Sequence, residues 1–190
     1  MFECMWVHKF NDSRMHVAGY FAGLTHYHML PLTVWVCAQS QDGYAAASAQ
    51  DKNQGSSRDL SSIFHILISH VAGLCVFLVG SFQQNLAHRH LADLRLKAEQ
   101  KPEQGEKTSD TYHLPHSGWF KWVSCPHYLC ELLIYASYII ITRAQSPGLC
   151  LVAVWVFCNQ CVTAHQCHAW YHSCFPSYPK QRKRIIPWLY

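Results

Sequence analysis

Charge is scarce in this sequence. Only 14% of its 190 residues are Asp, Glu, Lys or Arg, against about 25% in an ordinary soluble domain. No Gly-x-Gly-x-x-Gly fingerprint is present, which excludes a Rossmann domain as a dinucleotide site. A Walker loop and a nucleophile elbow are also lacking. There is no basic helix with base-reading spacing and no RNP-like or zinc-finger pattern, so nucleic acid is not an expected partner. The first 14 residues hold Glu3, Lys9, Asp12 and Arg14 and no apolar core, so no cleavable signal peptide is expected. No internal repeat is visible.

Apolar and aromatic residues are abundant instead: half of the chain is hydrophobic and 14% is aromatic. Of the ten cysteines, Cys37, Cys75, Cys130, Cys150, Cys158, Cys161 and Cys167 lie in or beside apolar runs and read as small buried hydrophobes. Four runs are candidate membrane helices, at about 15–38, 62–82, 128–142 and 149–164. A helix needs about 20 mostly apolar residues to cross about 30 Å of hydrocarbon. The first two runs meet that length. The third and fourth are shorter and carry Glu131 and Asn159, which suits the inside of a bundle. Because the apolar residues occur all round, without a polar face, a membrane bundle is expected rather than a soluble one. The expected fold is therefore all-α, a multi-pass transmembrane helical bundle of about four membrane helices.

Lys and Arg set the expected orientation. With four spans, the N-terminus, the 83–126 loop and the tail share one side, which holds 12 of the 15 Lys and Arg residues; Lys52, Arg58 and Arg143 fall on the other. The first side is expected to be cytosolic. The single domain then divides into a first span with its flank (1–38), a lumenal loop (39–61), a second span with a cytosolic loop (62–126), and the third and fourth spans with a basic tail (127–190). Within the cytosolic loop, 97–110 is Glu/Lys-rich with Pro102 and Gly105 and reads as a solvated insertion.

Several clusters of polar residues border these spans. Gln84, His88, Leu91 and Arg95 share one face at helical spacing, either as a phosphate-binding row or as a solvated helix end. Pro115 and Gly118 mark a turn, and Trp119 and Phe120 suit an interfacial anchor. His127, Glu131 and Tyr135 recur every fourth residue. An ionisable Glu131 within a span is a functional candidate, or else a structural partner of a neighbouring helix. Cys158, Cys161, His165 and His168 imitate a zinc set, but all lie in a segment read as helical, without the long loop of structural zinc sites, so no metal is expected. The tail Lys180, Arg182, Lys183 and Arg184 suits either a membrane surface or a phosphate.

Longer matches come from Tyr112-His113-Leu114-Pro115, Gly118-Trp119-Phe120, Val123-Ser124-Cys125-Pro126-His127-Tyr128-Leu129, Glu131, and Tyr178-Pro179-Lys180 through Arg182-Lys183 to Pro187. Phe2-Glu3-Cys4 and the stretch from His88 to Arg95 add a weaker match. Together these segments resemble the C-terminal part of the steroid 5α-reductase family, in its polyprenal reductase branch. The resemblance implies an endoplasmic reticulum membrane oxidoreductase with a cytosolic C-terminal tail. It implies NADPH as cofactor, held by Gln84, His88, Arg95, Tyr112, His113, His127, Glu131, His168, Tyr171 and Arg182, with Trp170 nearby. His113 and His127 stand where some relatives carry Arg and Asn. The implied substrate is a long-chain isoprenoid lipid, whose α-isoprene double bond is reduced in dolichol synthesis for protein N-glycosylation. The family's carbonyl-polarising Glu and Tyr are expected upstream of residue 1, so no catalytic residue is assigned within the chain. The alternatives are an isoprenylcysteine carboxyl methyltransferase-like enzyme and a non-catalytic membrane relative.

Overall fold

The structure is a computed structural model. It describes residues 60–99 and 113–190, together with Thr25, His28, Leu32, Thr33, Trp35 and Val36, which are helical. Three helices make up the ordered frame among the described residues: α1 (Leu60–Glu99), α2 (Pro126–Ile141) and α3 (Pro147–Cys174). A 3-10 turn, Gly118–Lys121, precedes α2. There are no strands among the described residues, only one isolated parallel bridge between Val123 and Lys183. The all-α expectation holds. Of the expected spans, 15–38 lies outside the described residues apart from those six helical positions, as do 39–59 of the loop and 100–110 of the insertion.

The helices outrun the hydropathy that marks them. α1 contains 40 residues, about 60 Å at 1.5 Å per residue, and continues well past the expected boundary at residue 82. The added segment is rich in Gln, Leu, Ala and Arg and lacks Gly and Pro, so nothing in it breaks a helix. Pro147 opens α3, where its missing N–H costs nothing. Ser146 caps it by accepting a hydrogen bond from Leu149 N–H at 3.4 Å. The helix runs on to Cys174, ten residues beyond the expected end at 164.

Among the described residues, two helices are long and apolar enough to cross a membrane. The most apolar 18-residue windows of Ile63–Lys97 and Pro147–Cys174 have mean hydropathies of 2.2 and 1.5. Neither is the sheltered core helix of a soluble protein, for only 11% and 22% of their most apolar windows are buried. Phe64, Leu67, Leu78, Phe82, Leu151 and Trp155 all stand exposed on them. Apolar surface on this scale fits a hydrocarbon solvent, and the chain is a membrane protein. α2, with 16 residues, is only about 24 Å long and falls short of the usual span.

The described residues form two compact units, one comprising Phe77–Ile134 with Val156–Tyr190, the other 60–76 with Tyr135–Trp155. In the second unit Gly73 lies so close to α2 that an added Cβ would overlap the Ile141 side chain and come within 3.0 Å of Ser137 O. α2 ends there in a Schellman-type closure. Ala144 N–H donates to Ile139 O at 2.9 Å and Arg143 N–H to Ile140 O at 3.1 Å, with Arg143 in the left-handed region at φ 53°. In the first unit Gly80 plays the corresponding part, 3.2 Å from Cys130 O at the position of its missing Cβ. A neighbouring backbone carbonyl cannot move aside as a side chain can. Gly73→Leu is therefore expected to cost about 1–3 kcal/mol through overpacking. A lowered thermal unfolding midpoint in detergent would show it, and an unchanged midpoint would contradict the close approach.

Candidate functional site

The first unit gathers the polar side chains. Its frame is a backbone ladder between the segment before α2 and the tail. Lys183 N–H donates to Trp122 O at 3.1 Å, Ser124 N–H to Lys183 O at 2.8 Å, and Cys125 N–H to Arg184 O at 3.1 Å. Gly118, at φ 58°, allows the sharp turn that brings the chain into this ladder. Phe120, fully buried, anchors the turn and lies 5.6 Å from the His90 ring of α1. Beneath the ladder, Cys125, Ala164 and Ile185 form an apolar core, packed against Tyr128, Leu129, Leu132, Cys167 and Ile186. The tail thus lies back against α2 and α3.

Ser124 stands at the centre of the polar group. Its Oγ lies 2.6 Å from His168 Nδ1 and 2.5 Å from Tyr178 Oη, and donates to Lys183 O at 3.0 Å. Burial pushes the Tyr178 hydroxyl above its ordinary range, so it remains protonated and able to donate at neutral pH. Tyr178 stacks on Tyr171, with centroids 5.5 Å apart and planes at 10°, and meets His168 edge-on at 5.7 Å. His172, one turn beyond His168, places its Nε2 3.1 Å from His168 Nε2.

Arg182 completes the cluster. It is only 5% exposed. Its guanidinium faces the Tyr178 ring at 5.0 Å and donates from Nη1 to Pro115 O at 3.1 Å, but the buried Nε has no hydrogen-bond partner. The buried Nε of Arg184 is also unpartnered, with its guanidinium 4.6 Å from the Tyr190 ring. From residue 111 onward the sequence contains one acidic residue, Glu131. Its carboxylate is engaged elsewhere, accepting from Gln160 Nε2 of α3 at 2.5 Å. A buried cation is ordinarily paired. Here the guanidinium is buried with its Nε N–H unpartnered.

The residues expected from sequence fall into separate groups. His168, Tyr171 and Arg182 come together through Tyr178 and Ser124. His88 of α1 and His127 of α2 face each other, ring centroids 5.7 Å apart. Glu131 joins Gln160, the helix-to-helix partnership left open by the sequence. Gln84 and Arg95 lie on α1, Arg95 exposed. His113 is exposed in the segment before the turn, and Tyr112 lies outside the described residues. Sequence reasoning did not single out Ser124, His172 or Gln160 as site residues, and it named Arg184 only as part of the basic tail. The available signal for Ser124 was its place before Cys125-Pro126, at the entry to a helix.

Replacing Glu131 separates its two roles. Glu131→Ala leaves the Gln160 amide, only 6% exposed, without its acceptor, and is expected to lower stability by about 1–3 kcal/mol. Glu131→Gln keeps an acceptor oxygen and is expected to recover most of that loss. Thermal unfolding of both variants in the same detergent is the measurement. Equal destabilisation by both would count against the hydrogen bond as the stabilising contact.

Buried Arg182 set against Tyr178, beside His168 and Tyr171 of a long apolar helix, is the polar centre of a membrane protein. The sequence model of the 3-oxo-5-alpha-steroid 4-dehydrogenase family matches residues 57–190, and the chain belongs to that family. Similar relatives are the polyprenal reductases of Danio rerio, 34% identical over 189 residues, and Homo sapiens, 34% identical over 190 residues; each alignment takes in all of this chain and 55% of the relative. The polyprenal reductase of Caenorhabditis elegans is 32% identical over 190 residues, with 56% of its length covered. The chain spans just over half the length of these relatives.

Proposed function

We propose that this chain carries the NADPH-binding portion of a polyprenal reductase of the endoplasmic reticulum membrane, with its tail on the cytosolic side. The observation that supports it most is Arg182, a buried guanidinium whose Nε has no hydrogen-bond partner. Such a group fits a ligand that brings its own negative charge, and guanidinium matches phosphate oxygens through its planar fork. Arg184, beside it in the tail, adds a second cation. His168 and Tyr171 supply a polar edge and an aromatic face for the ribose and nicotinamide. The cofactor, when bound, supplies a hydride. The chain's own residues bind its charge, orient its rings and shield it with the apolar helices. The substrate in this reading is a long-chain isoprenoid in the bilayer, after the names of the relatives, and its product serves dolichol synthesis.

A methyltransferase using S-adenosylmethionine is the rival reading. That cofactor carries a sulfonium and a single carboxylate and no phosphate, so it matches a cluster of unpaired cations less well than NADPH does. Binding to the chain in lipid nanodiscs tests both. NADPH is expected to bind, and Arg182→Ala to weaken it about 10–100-fold, the loss of a charge-assisted contact worth about 1.5–3 kcal/mol. Arg182→Lys, which keeps charge but not the fork, is expected to fall between. Binding of S-adenosylmethionine in place of NADPH would overturn the reductase reading.

A further inference from the structure

We propose that Ser124 is a positioning residue that fixes the tautomer of His168, so that His168 presents Nε2 as a hydrogen-bond acceptor to an O–H or N–H group of the bound nucleotide, a place that His172 fills in the structure. This rests on the NADPH reading and adds two residues to it: Ser124, which places His168, and His172, which occupies the acceptor until a ligand displaces it.

Proton counting carries the assignment. A serine hydroxyl has one proton to donate and two lone pairs to accept with. Ser124 donates its proton to Lys183 O at 3.0 Å. Its other two contacts must therefore be donors. Tyr178 Oη, 2.5 Å away, gives its phenolic proton. His168 Nδ1, 2.6 Å away, must then carry a hydrogen. A neutral imidazole with a hydrogen on Nδ1 bears its lone pair on Nε2. Nε2 in turn lies 3.1 Å from His172 Nε2, so His172 is the donor there. Every hydrogen bond in the chain His172, His168, Ser124, Lys183 has one direction, and Tyr178 closes the count. Ser124 itself is fully buried and held at its backbone N–H by the same Lys183 carbonyl, so its Oγ has little freedom to choose other partners.

The two ends of this chain differ. The Ser124 end is buried, and the His172 end is exposed. An exposed imidazole that occupies an acceptor can give way to a better placed donor. Nucleotide cofactors offer such donors in ribose hydroxyls and the nicotinamide carboxamide. The acceptor is thus kept ready, and bonded, before a ligand arrives.

The test is histidine 15N NMR on the full chain in nanodiscs, with His168→Gln used to assign the His168 signals, alongside NADPH titration. Wild type is expected to show His168 protonated at Nδ1. Ser124→Ala is expected to shift it toward the Nε2–H form and to weaken NADPH binding about tenfold, the equivalent of one lost hydrogen bond. Ser124→Thr, which restores a hydroxyl, is expected to recover both. His172→Ala, at an exposed site, is expected to tighten NADPH binding about two- to fivefold by removing the competitor for Nε2. An unchanged His168 tautomer in Ser124→Ala would overturn the role of Ser124, and weaker binding in His172→Ala would overturn that of His172. A wild-type chain that shows the Nδ1–H form but binds no NADPH would overturn the nucleotide clause and the reading it rests on, while the tautomer measurement would still decide on Ser124.

Discussion

The short ladder between 122–125 and 183–184 is the constraint on which the site depends. Its three backbone hydrogen bonds, of 2.8, 3.1 and 3.1 Å, fold the tail back so that residues far apart in sequence share one volume. Without it Arg182 would be one more solvated charge in a basic tail. With it the guanidinium passes beneath Pro115 and against Tyr178. The ladder is short, and the apolar core of Cys125, Ala164 and Ile185 supports it. Full burial of Ile185 contributes on the order of 2 kcal/mol, at the residue that follows the ladder.

Two buried polar groups in the same unit illustrate different solutions to one cost. The Glu131 carboxyl and the Gln160 amide satisfy each other between α2 and α3, which suits a pair whose work is to hold helices together. Arg182 is incompletely satisfied. Burying a cation without a counter-charge destabilises the folded chain, and folds tolerate such a cost where a ligand later offsets it. In the proposed function the contrast separates a structural polar contact from a binding one, although both involve ionisable side chains in mostly apolar surroundings.

The membrane character and the helical class were legible because they are written in long runs of sequence. Hydropathy located α1 and α3 but not their ends, since a helix continues for as long as its backbone bonds are favourable, and apolarity stops earlier. The stretch 83–99 has no residue that halts a helix, so α1 kept going. The site was legible in part. His168, Tyr171 and Arg182 lie in motifs that a resemblance can point to. Ser124 could not be found from periodicity, for its partners are 44 and 54 residues away and a lone serine in a loop has no pattern. Glu131 was visible as an anomaly, but whether its partner was a ligand or another helix depended on Gln160, which in sequence is one amide among apolar neighbours.

A dinucleotide site is usually recognised by glycines that let the backbone approach a pyrophosphate at a helix N-terminus. No such fingerprint occurs in this sequence, so in the function proposed above a dinucleotide would be held another way. In this chain positive charge is delivered by a tail that returns to the helices, and rigidity comes from aromatic contacts: Tyr178 on Tyr171, and Arg182 on Tyr178. Guanidinium over an aromatic face keeps its charge while losing part of its hydration, which in the proposed function suits it to phosphate oxygens. The directional hydrogen bonds around Ser124 do the same for His168. Charge placement by Arg182 and tautomer placement through Ser124 are thus two outcomes of one folding event, the return of the tail, and a substitution that loosens the ladder would weaken both together.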